Sequence, residues 1–198
     1  LQAHRSGATA DEARALARPL PLLSPRGLYW AATRASLRLG AALSTGIGLG
    51  QRTGFDSGST LDYVYRNQAE GRGPLAALGR LIDRVYLQSI GWRGIRQRKR
   101  HVEELLCLAM QRLADARRPV KLLDIAAGHG RYVLDAVKAS PVSPQAVVLR
   151  DYSRLNVQDG RALIAERGLQ GLARFDQADA FDRASLAAVQ PRPTLALL

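Results

Sequence analysis

The stretch KLLDIAAGHGRYVLDAV, residues 121–137, sets Asp124 at the end of an apolar run, with Gly128 and Gly130 just after it. An apolar run that only had to stop needs one glycine. Two at this spacing point to a sharp backbone turn that something approaches closely, because glycine accepts positive φ and places no side chain between backbone and ligand. The residues after the turn read as a helix, whose first N–H groups lack partners and whose dipole is positive there. That combination suits an anionic group, either a pyrophosphate or the carboxylate of an amino acid. The dinucleotide fingerprint G-x-G-x-x-G/A fails on both alignments. Starting at Gly128 it needs a small residue where Val133 stands, and starting at Ala126 it ends on Arg131.

A turn of this kind needs a strand before it and a helix after it. VKLLDIA (120–126) supplies the strand and a helix follows to about residue 139. AVVLRD (146–151) is a second strand, with a helix after it ended by Gly168 or Gly171. LARFDQAD (172–179) is a third, followed by a helix that Asp182 caps and that runs to Val189. TLALL is a fourth. This alternation predicts a parallel sheet with crossover helices. The first 118 residues differ. Helices are expected over 8–18, 25–45, 74–90 and 94–116, separated by a glycine-rich loop over 46–60 (GIGLGQRTGFDSGST), and no strands are expected.

The segment LLDIAAGHG resembles the first motif of class I S-adenosylmethionine-dependent methyltransferases: an apolar run, an acid, then G-x-G-x-G with Ala126 in place of the first glycine. The resemblance covers residues 119–198. It implies that Asp124, Ala126, Gly128 and Gly130 hold the cofactor. It also implies that Asp151, 21 residues after Gly130 at the end of the second strand, accepts from the ribose hydroxyls, with Tyr152 beside it. In QADAFD (177–182), Asp179 would accept from the adenine amino group, with Ala180 and Phe181 against the ring. DYSRLN (151–156), GFDSGSTLDYVYRN and GIRQRK resemble a narrower group, bacterial methyltransferases found behind an α/β-hydrolase, lysophospholipase-like partner.

The fold class expected is therefore α/β: an N-terminal helical subdomain and a partial Rossmann-like, doubly wound parallel sheet. Residues 1–25 read as a connector, 26–118 as a helical cap and 119–198 as the cofactor-binding domain. The start at Leu1 and the apolar end at Leu198 read as a piece of a longer protein whose later strands lie beyond this sequence. The cap is expected to lean over the cofactor side of the sheet, with Tyr63 to Arg66 near the pocket and the glycine-rich segment as a lid hinge.

Charge is uneven. The net charge is +12, and residues 1–118 carry 19 basic against 9 acidic side chains while 119–198 carry 10 against 8. The basic half favours an anionic partner, be it nucleic acid, acidic lipid or an anionic substrate, without choosing among them. The run RGIRQRKR (93–100) is where phosphate or anionic lipid would dock, if it is more than a solvated helix face. A lone cysteine, Cys107, in an apolar helical pattern reads as core packing and excludes a disulfide framework. His4, His101 and His129 lie too far apart for a metal-ligand spacing, and His129 reads as a turn or rim residue. No apolar run reaches the roughly 20 residues of a membrane span. A cytoplasmic setting, peripheral to the membrane if the basic half docks there, is the expectation.

The function expected is methyl transfer from S-adenosylmethionine to an unidentified acceptor, a small molecule or a lipid. The resemblance places catalytic groups after the fourth strand, so none is named. Two alternatives stand beside it: a non-catalytic basic module docking on anionic membrane or nucleic acid, and a nicotinamide-dinucleotide-binding domain. For the latter, Arg150 is the phosphate partner to consider, but strand alternation turns it away from Asp151.

Overall fold

The computed structural model describes residues 10–21 and 23–198. The helices are α1 (Ala10–Ala17), α2 (Pro25–Leu43), α3 (Thr45–Thr53), α4 (Gly58–Arg66), α5 (Ala76–Leu87), α6 (Ile90–Asp115), α7 (Arg131–Ala139), α8 (Arg154–Glu166) and α9 (Arg183–Ala187). The strands are β1 (Lys121–Ile125), β2 (Ala146–Asp151), β3 (Ala173–Gln177) and β4 (Leu195–Leu197). Residues 1–9 and 22 of the expected connector, His4 among them, lie outside the described residues.

The chain divides into two compact units, Leu1–Leu39 and Gly40–Leu198. In the first, Pro21 and Ser24 organise the start of α2: the Ser24 hydroxyl donates to the Pro21 carbonyl at 2.7 Å and accepts from Gly27 N at 3.0 Å. Tyr29 and Trp30 meet edge to face, 5.3 Å between ring centres.

In the second unit, the four strands form one parallel sheet in the order β3-β2-β1-β4. Alternation along the strands divides the core. Leu122, Val147 and Leu149 face the layer built from α6, α7 and α8, where Met110, Val133, Leu134, Val157 and Ile164 are buried. Leu123 and Val148 face the other way, against Val189. The chain reverses its direction of strand addition between β1 and β4, and ligands of such sheets bind outside the carboxyl ends at that point.

The glycine-rich loop expected over 46–60 is largely replaced by α3 and the start of α4. GIGLG is the helix α3, not a flexible loop or a hinge. Ser44 caps it, its hydroxyl accepting from Ile47 N at 3.1 Å and donating to Asp83 Oδ1. The glycines are there for packing. A Cβ at Gly46 would lie 2.8 Å from Asp83 Oδ1 and from the rings of Tyr63 and Tyr86. Tertiary packing thus overrides the weak helix propensity of glycine. Asp83 itself is fully buried and accepts from Ser44, Gly46 N, the Tyr63 hydroxyl and Glu70 N, which ties α3, α4, α5 and the 67–72 segment together. Four donors compensate its burial without a cation.

Candidate functional site

Three residues between β1 and α7 take left-handed backbone conformations: Ala126 (φ 61°), Gly128 (φ 59°) and Gly130 (φ 72°). The turn is closed by Ala127 N donating to the Arg150 carbonyl at 2.9 Å and Gly130 N donating to the Ala127 carbonyl at 2.8 Å. A Cβ on Gly130 would meet Leu149 Cδ1 at 2.5 Å, and one on Gly128 would come within 3.3 Å of the Gly58 backbone. The second of these approaches is informative, because it brings the start of α4 down onto the turn.

Two carboxylates stand at the ends of β1 and β2. Asp151 is buried and accepts three hydrogen bonds: from Gly128 N on Oδ2 (2.9 Å), and from Ser153 N (2.8 Å) and Asn156 Nδ2 (3.1 Å) on Oδ1. A carboxylate has about four acceptor positions, so one remains for a ligand. Asp124 is buried deeper. Its Oδ2 accepts from the Tyr132 hydroxyl at 2.6 Å, and its Oδ1 is buried with no partner. Burial pushes its carboxyl up to about 7; the Tyr132 hydrogen bond opposes that rise, and the charge of Asp151 adds to it.

The opposite wall comes from α4. Ser57 caps this helix by accepting from Thr60 N at 3.2 Å, and Ser59 and Asp62 follow on the face turned toward the glycine turn. Asp62 grips Arg131, the first residue of α7, with Nε–Oδ1 at 2.6 Å and Nη2–Oδ2 at 3.2 Å. Burial alone would raise the Asp62 carboxyl, but hydrogen bonds from His129 and Arg131, with their charges, hold it down at about 2. His129 sits between two helices. Its Nε2 is 3.3 Å from Ser59 Oγ and 3.4 Å from Asp159 Oδ2, and its Nδ1 is 3.7 Å from Asp62 Oδ2.

Together these groups enclose a cavity of about 760 Å³ at the carboxyl end of the sheet. The turn and the end of β2 form its floor, α4 with Tyr65 and the end of α3 one wall, and Arg98 and Lys99 of α6 another. Lys99 is committed to Glu103 and to Asp135 (2.9 Å) and lies 5.9 Å from the Tyr65 ring centre.

Of the residues read from the sequence, Ala126, Gly128, Gly130, Asp151 and Tyr152 line the cavity. Asp124 lies behind the turn, linked to the lining through Tyr132. Asp179, Ala180 and Phe181 do not line it: Asp179 accepts from Phe181 N at 2.8 Å, and the Phe181 side chain is 92% exposed. Arg150 points to the far face, as alternation requires, and donates to Ser185. Cys107 packs against the main core with its thiol toward the Ala136 carbonyl. Tyr65 and the basic residues Arg98 and Lys99 reach the cavity, but Tyr63 is turned into the Asp83 cluster. Ser59, Asp62, Arg131 and Asn156 carry the site yet sit in no recognisable spacing. Ser57, whose hydroxyl accepts from Thr60 N, is the local signal of that helix start.

The full span, residues 1–198, matches the model of a family described as "Putative methyltransferase". The chain is 50% identical over 194 residues to "Uncharacterized protein YnbC" of Escherichia coli (strain K12). That alignment takes in 98% of this chain and 32% of the relative, so the chain spans about a third of that protein's length. Among solved structures, a "possible exported protein" from Bordetella parapertussis aligns over 74% of this chain and 45% of its own, at 21% identity and a TM-score of 0.50, a likeness of fold. An RNA methyltransferase from Salinibacter ruber, in complex with S-adenosyl-L-homocysteine, aligns over 39% of this chain and 48% of its own, at 26% identity and a TM-score of 0.30. Among the described residues, no helix is long and apolar enough to cross a membrane.

Proposed function

We infer that this chain, which belongs to the "Putative methyltransferase" family, binds S-adenosylmethionine in the cavity above its glycine turn and transfers the methyl group to an acceptor entering beside α4 and α6. The observation that carries this reading is the bond from Gly128 N to Asp151 Oδ2. It fixes the turn and leaves a carboxylate with spare acceptor capacity at the end of β2.

The residues present fit such a cofactor. Gly128 and Gly130 place no side chain on the floor, and a Cβ at Gly130 would collide with Leu149. Asp124, buried behind the turn with Oδ1 unpartnered, sets a second carboxylate close beneath the cavity. Asp151 would hold the ribose hydroxyls, and the N-terminus of α7 would face the amino-acid carboxylate. A cation tolerates two nearby carboxylates better than a pyrophosphate does, which favours this cofactor over a nicotinamide dinucleotide. When bound, the cofactor supplies a methyl group on a sulfonium, ready for in-line displacement. The chain's part is to orient the two reactants and exclude water. Asp62 does this by clamping α4 to Arg131, so that the cavity wall and the turn move as one body.

In this reading residues 26–118 act as a cap and 119–198 as the cofactor-binding domain, with Asp179, Ala180 and Phe181 closing on the adenine when it is bound. The relative's extra length is where later strands, and a hydrolase-like companion, would lie. The basic half would bring the protein to an anionic surface or an anionic acceptor from the cytoplasmic side. Calorimetry on the full chain tests the core of the reading. S-adenosylhomocysteine and S-adenosylmethionine are expected to bind and NAD is not. Tight NAD binding with neither adenosyl compound bound would sink it.

A further inference from the structure

We propose that His129 accepts, through Ser59, the proton that a hydroxyl acceptor must lose on methylation, with Asp62 as the positioning residue. The proposal rests on the methyl-transfer reading and adds to it the acceptor class and the path of the proton. It starts from three side chains in one cavity wall. Ser59 Oγ lies 3.3 Å from His129 Nε2, and His129 Nδ1 lies 3.7 Å from Asp62 Oδ2. Both Ser59 and His129 line the cavity, His129 from within the glycine turn and Ser59 from the first turn of α4.

The direction of the Ser59–His129 bond follows from the ring's other nitrogen. Asp62 is ionised and can only accept, and its charge is fixed by Arg131 at 2.6 and 3.2 Å and by Arg66 at 3.3 Å. In the neutral ring it favours hydrogen on Nδ1; Asp159 pulls toward Nε2 from 3.4 Å, but its exposed carboxylate is screened by solvent while Asp62 is buried. Nε2 then carries the lone pair, and Ser59 Oγ–H points at it. A hydroxyl polarised in this way can take a proton from a neighbour as it gives up its own. Asp159, on α8 and 3.4 Å from Nε2, is 42% exposed and stabilises the ring once Nε2 is protonated. The charged groups around the ring are thus Asp62 and Arg66 on α4, Arg131 on α7 and Asp159 on α8.

The step balances. A bond forms between the acceptor oxygen and the methyl carbon. The sulfur–methyl bond breaks, and its electron pair stays on sulfur. The acceptor's proton passes to Ser59 Oγ, and the Ser59 proton passes to His129 Nε2. The positive charge that leaves sulfur reappears on an imidazolium flanked by two carboxylates. An acceptor already ionised at neutral pH, such as a carboxylate, needs no such group, so the device selects for an acceptor that must be deprotonated. Proton transfer by a placed side chain contributes about 10²- to 10⁴-fold in rate.

Nitrogen-15 NMR of the full chain tests this without knowledge of the acceptor. The two probes are S-adenosylhomocysteine, which lacks the methyl group, and sinefungin, which carries an ammonium in its place. The neutral His129 ring is expected as the Nδ1–H tautomer, and its Nε2 resonance is expected to differ between the sinefungin and S-adenosylhomocysteine complexes. Ser59→Ala is expected to move the Nε2 resonance. An Nε2–H tautomer, an Nε2 resonance that is the same with the two probes, or one unmoved by Ser59→Ala each overturns the proposal. A chain that binds neither probe instead overturns the methyl-transfer reading, and this proposal with it.

Discussion

The backbone N–H of Gly128 donates to Oδ2 of Asp151 across 2.9 Å, joining the turn after β1 to the end of β2. The same carboxylate holds Ser153 N and Asn156 Nδ2 at the start of α8. One side chain therefore sets the positions of two loops.

Asp151→Ala is accordingly expected to lower both stability and affinity. The sequence alone suggests a loss of binding with stability kept, because a strand end leaves no cavity. Three internal hydrogen bonds to a buried carboxylate change that. Loss of charged hydrogen bonds costs about 2 kcal/mol or more, equivalent to a melting temperature lower by roughly 4–8 °C in a chain of this size. Affinity per folded molecule for S-adenosylhomocysteine should fall about 10-fold or more if the ribose bond is also lost. Thermal melts and calorimetry on the same variant separate the two effects. A melt that shifts while affinity holds would make Asp151 a loop anchor alone.

The legible part of the molecule was the part where local chemistry and fold agree. Apolar runs of strand length, the Asp182 cap and Gly168 at φ 69° mark elements by local rules, and they stand where those rules place them. GIGLG reads locally as a loop because its first glycine answers to Asp83, Tyr63 and Tyr86, residues far along the chain that no local pattern reveals. The cavity wall was hidden for the same reason. Asp62 meets Arg131 across 69 positions, and Ser59 meets His129 across 70.

Asp62→Asn tests the clamp between α4 and α7. The variant keeps the shape and leaves Arg131 without its charge partner in a largely buried place, a change that costs about 3–5 kcal/mol. The folded pKa of Asp62 is depressed, from 3.8 to about 2. Its contribution is therefore fully present above about pH 4 and is lost as pH falls through 2. The stability gap between wild type and variant should persist down to pH 5 and close only in strong acid. A gap that shrinks by pH 5 refutes the assignment.

Gly130→Ala and Gly168→Ala make a controlled pair. Both glycines have φ near 70°, so both substitutions strain the backbone by about 1–2 kcal/mol. At Gly168 nothing lies within 4 Å of the new methyl group, whereas at Gly130 it meets Leu149, which is fully buried. Denaturant unfolding should show the Gly130 variant less stable than the Gly168 variant by about 1–3 kcal/mol, and only the Gly130 variant should lose S-adenosylhomocysteine binding. Equal losses would mean that Leu149 moves aside freely.

Asp124→Asn is expected to stabilise the free protein near neutral pH while weakening the cofactor. The folded pKa of Asp124 is raised by burial from 3.8 to about 7. Its protonated form therefore contributes stability that is fully present below about pH 4 and is lost as pH rises through 7. Wild type should weaken across that window. The Asn variant, which cannot ionise and can still accept from Tyr132, should not. By pH 8 it should be the more stable of the two, by about 1 kcal/mol or more. Cofactor binding should run the other way. A cation in the cavity favours the ionised carboxylate behind the turn, so wild-type affinity for S-adenosylmethionine should rise with pH through 7, with release of a proton. In Asp124→Asn that pH dependence should vanish, and affinity at pH 8 should fall about 10-fold. Melting curves and calorimetry in buffers of different ionisation heat read both halves. Wild-type binding with no proton release between pH 6 and 8, in a protein whose stability does fall across the window, would place the cofactor's charge away from Asp124 and leave its buried oxygen a purely structural cost.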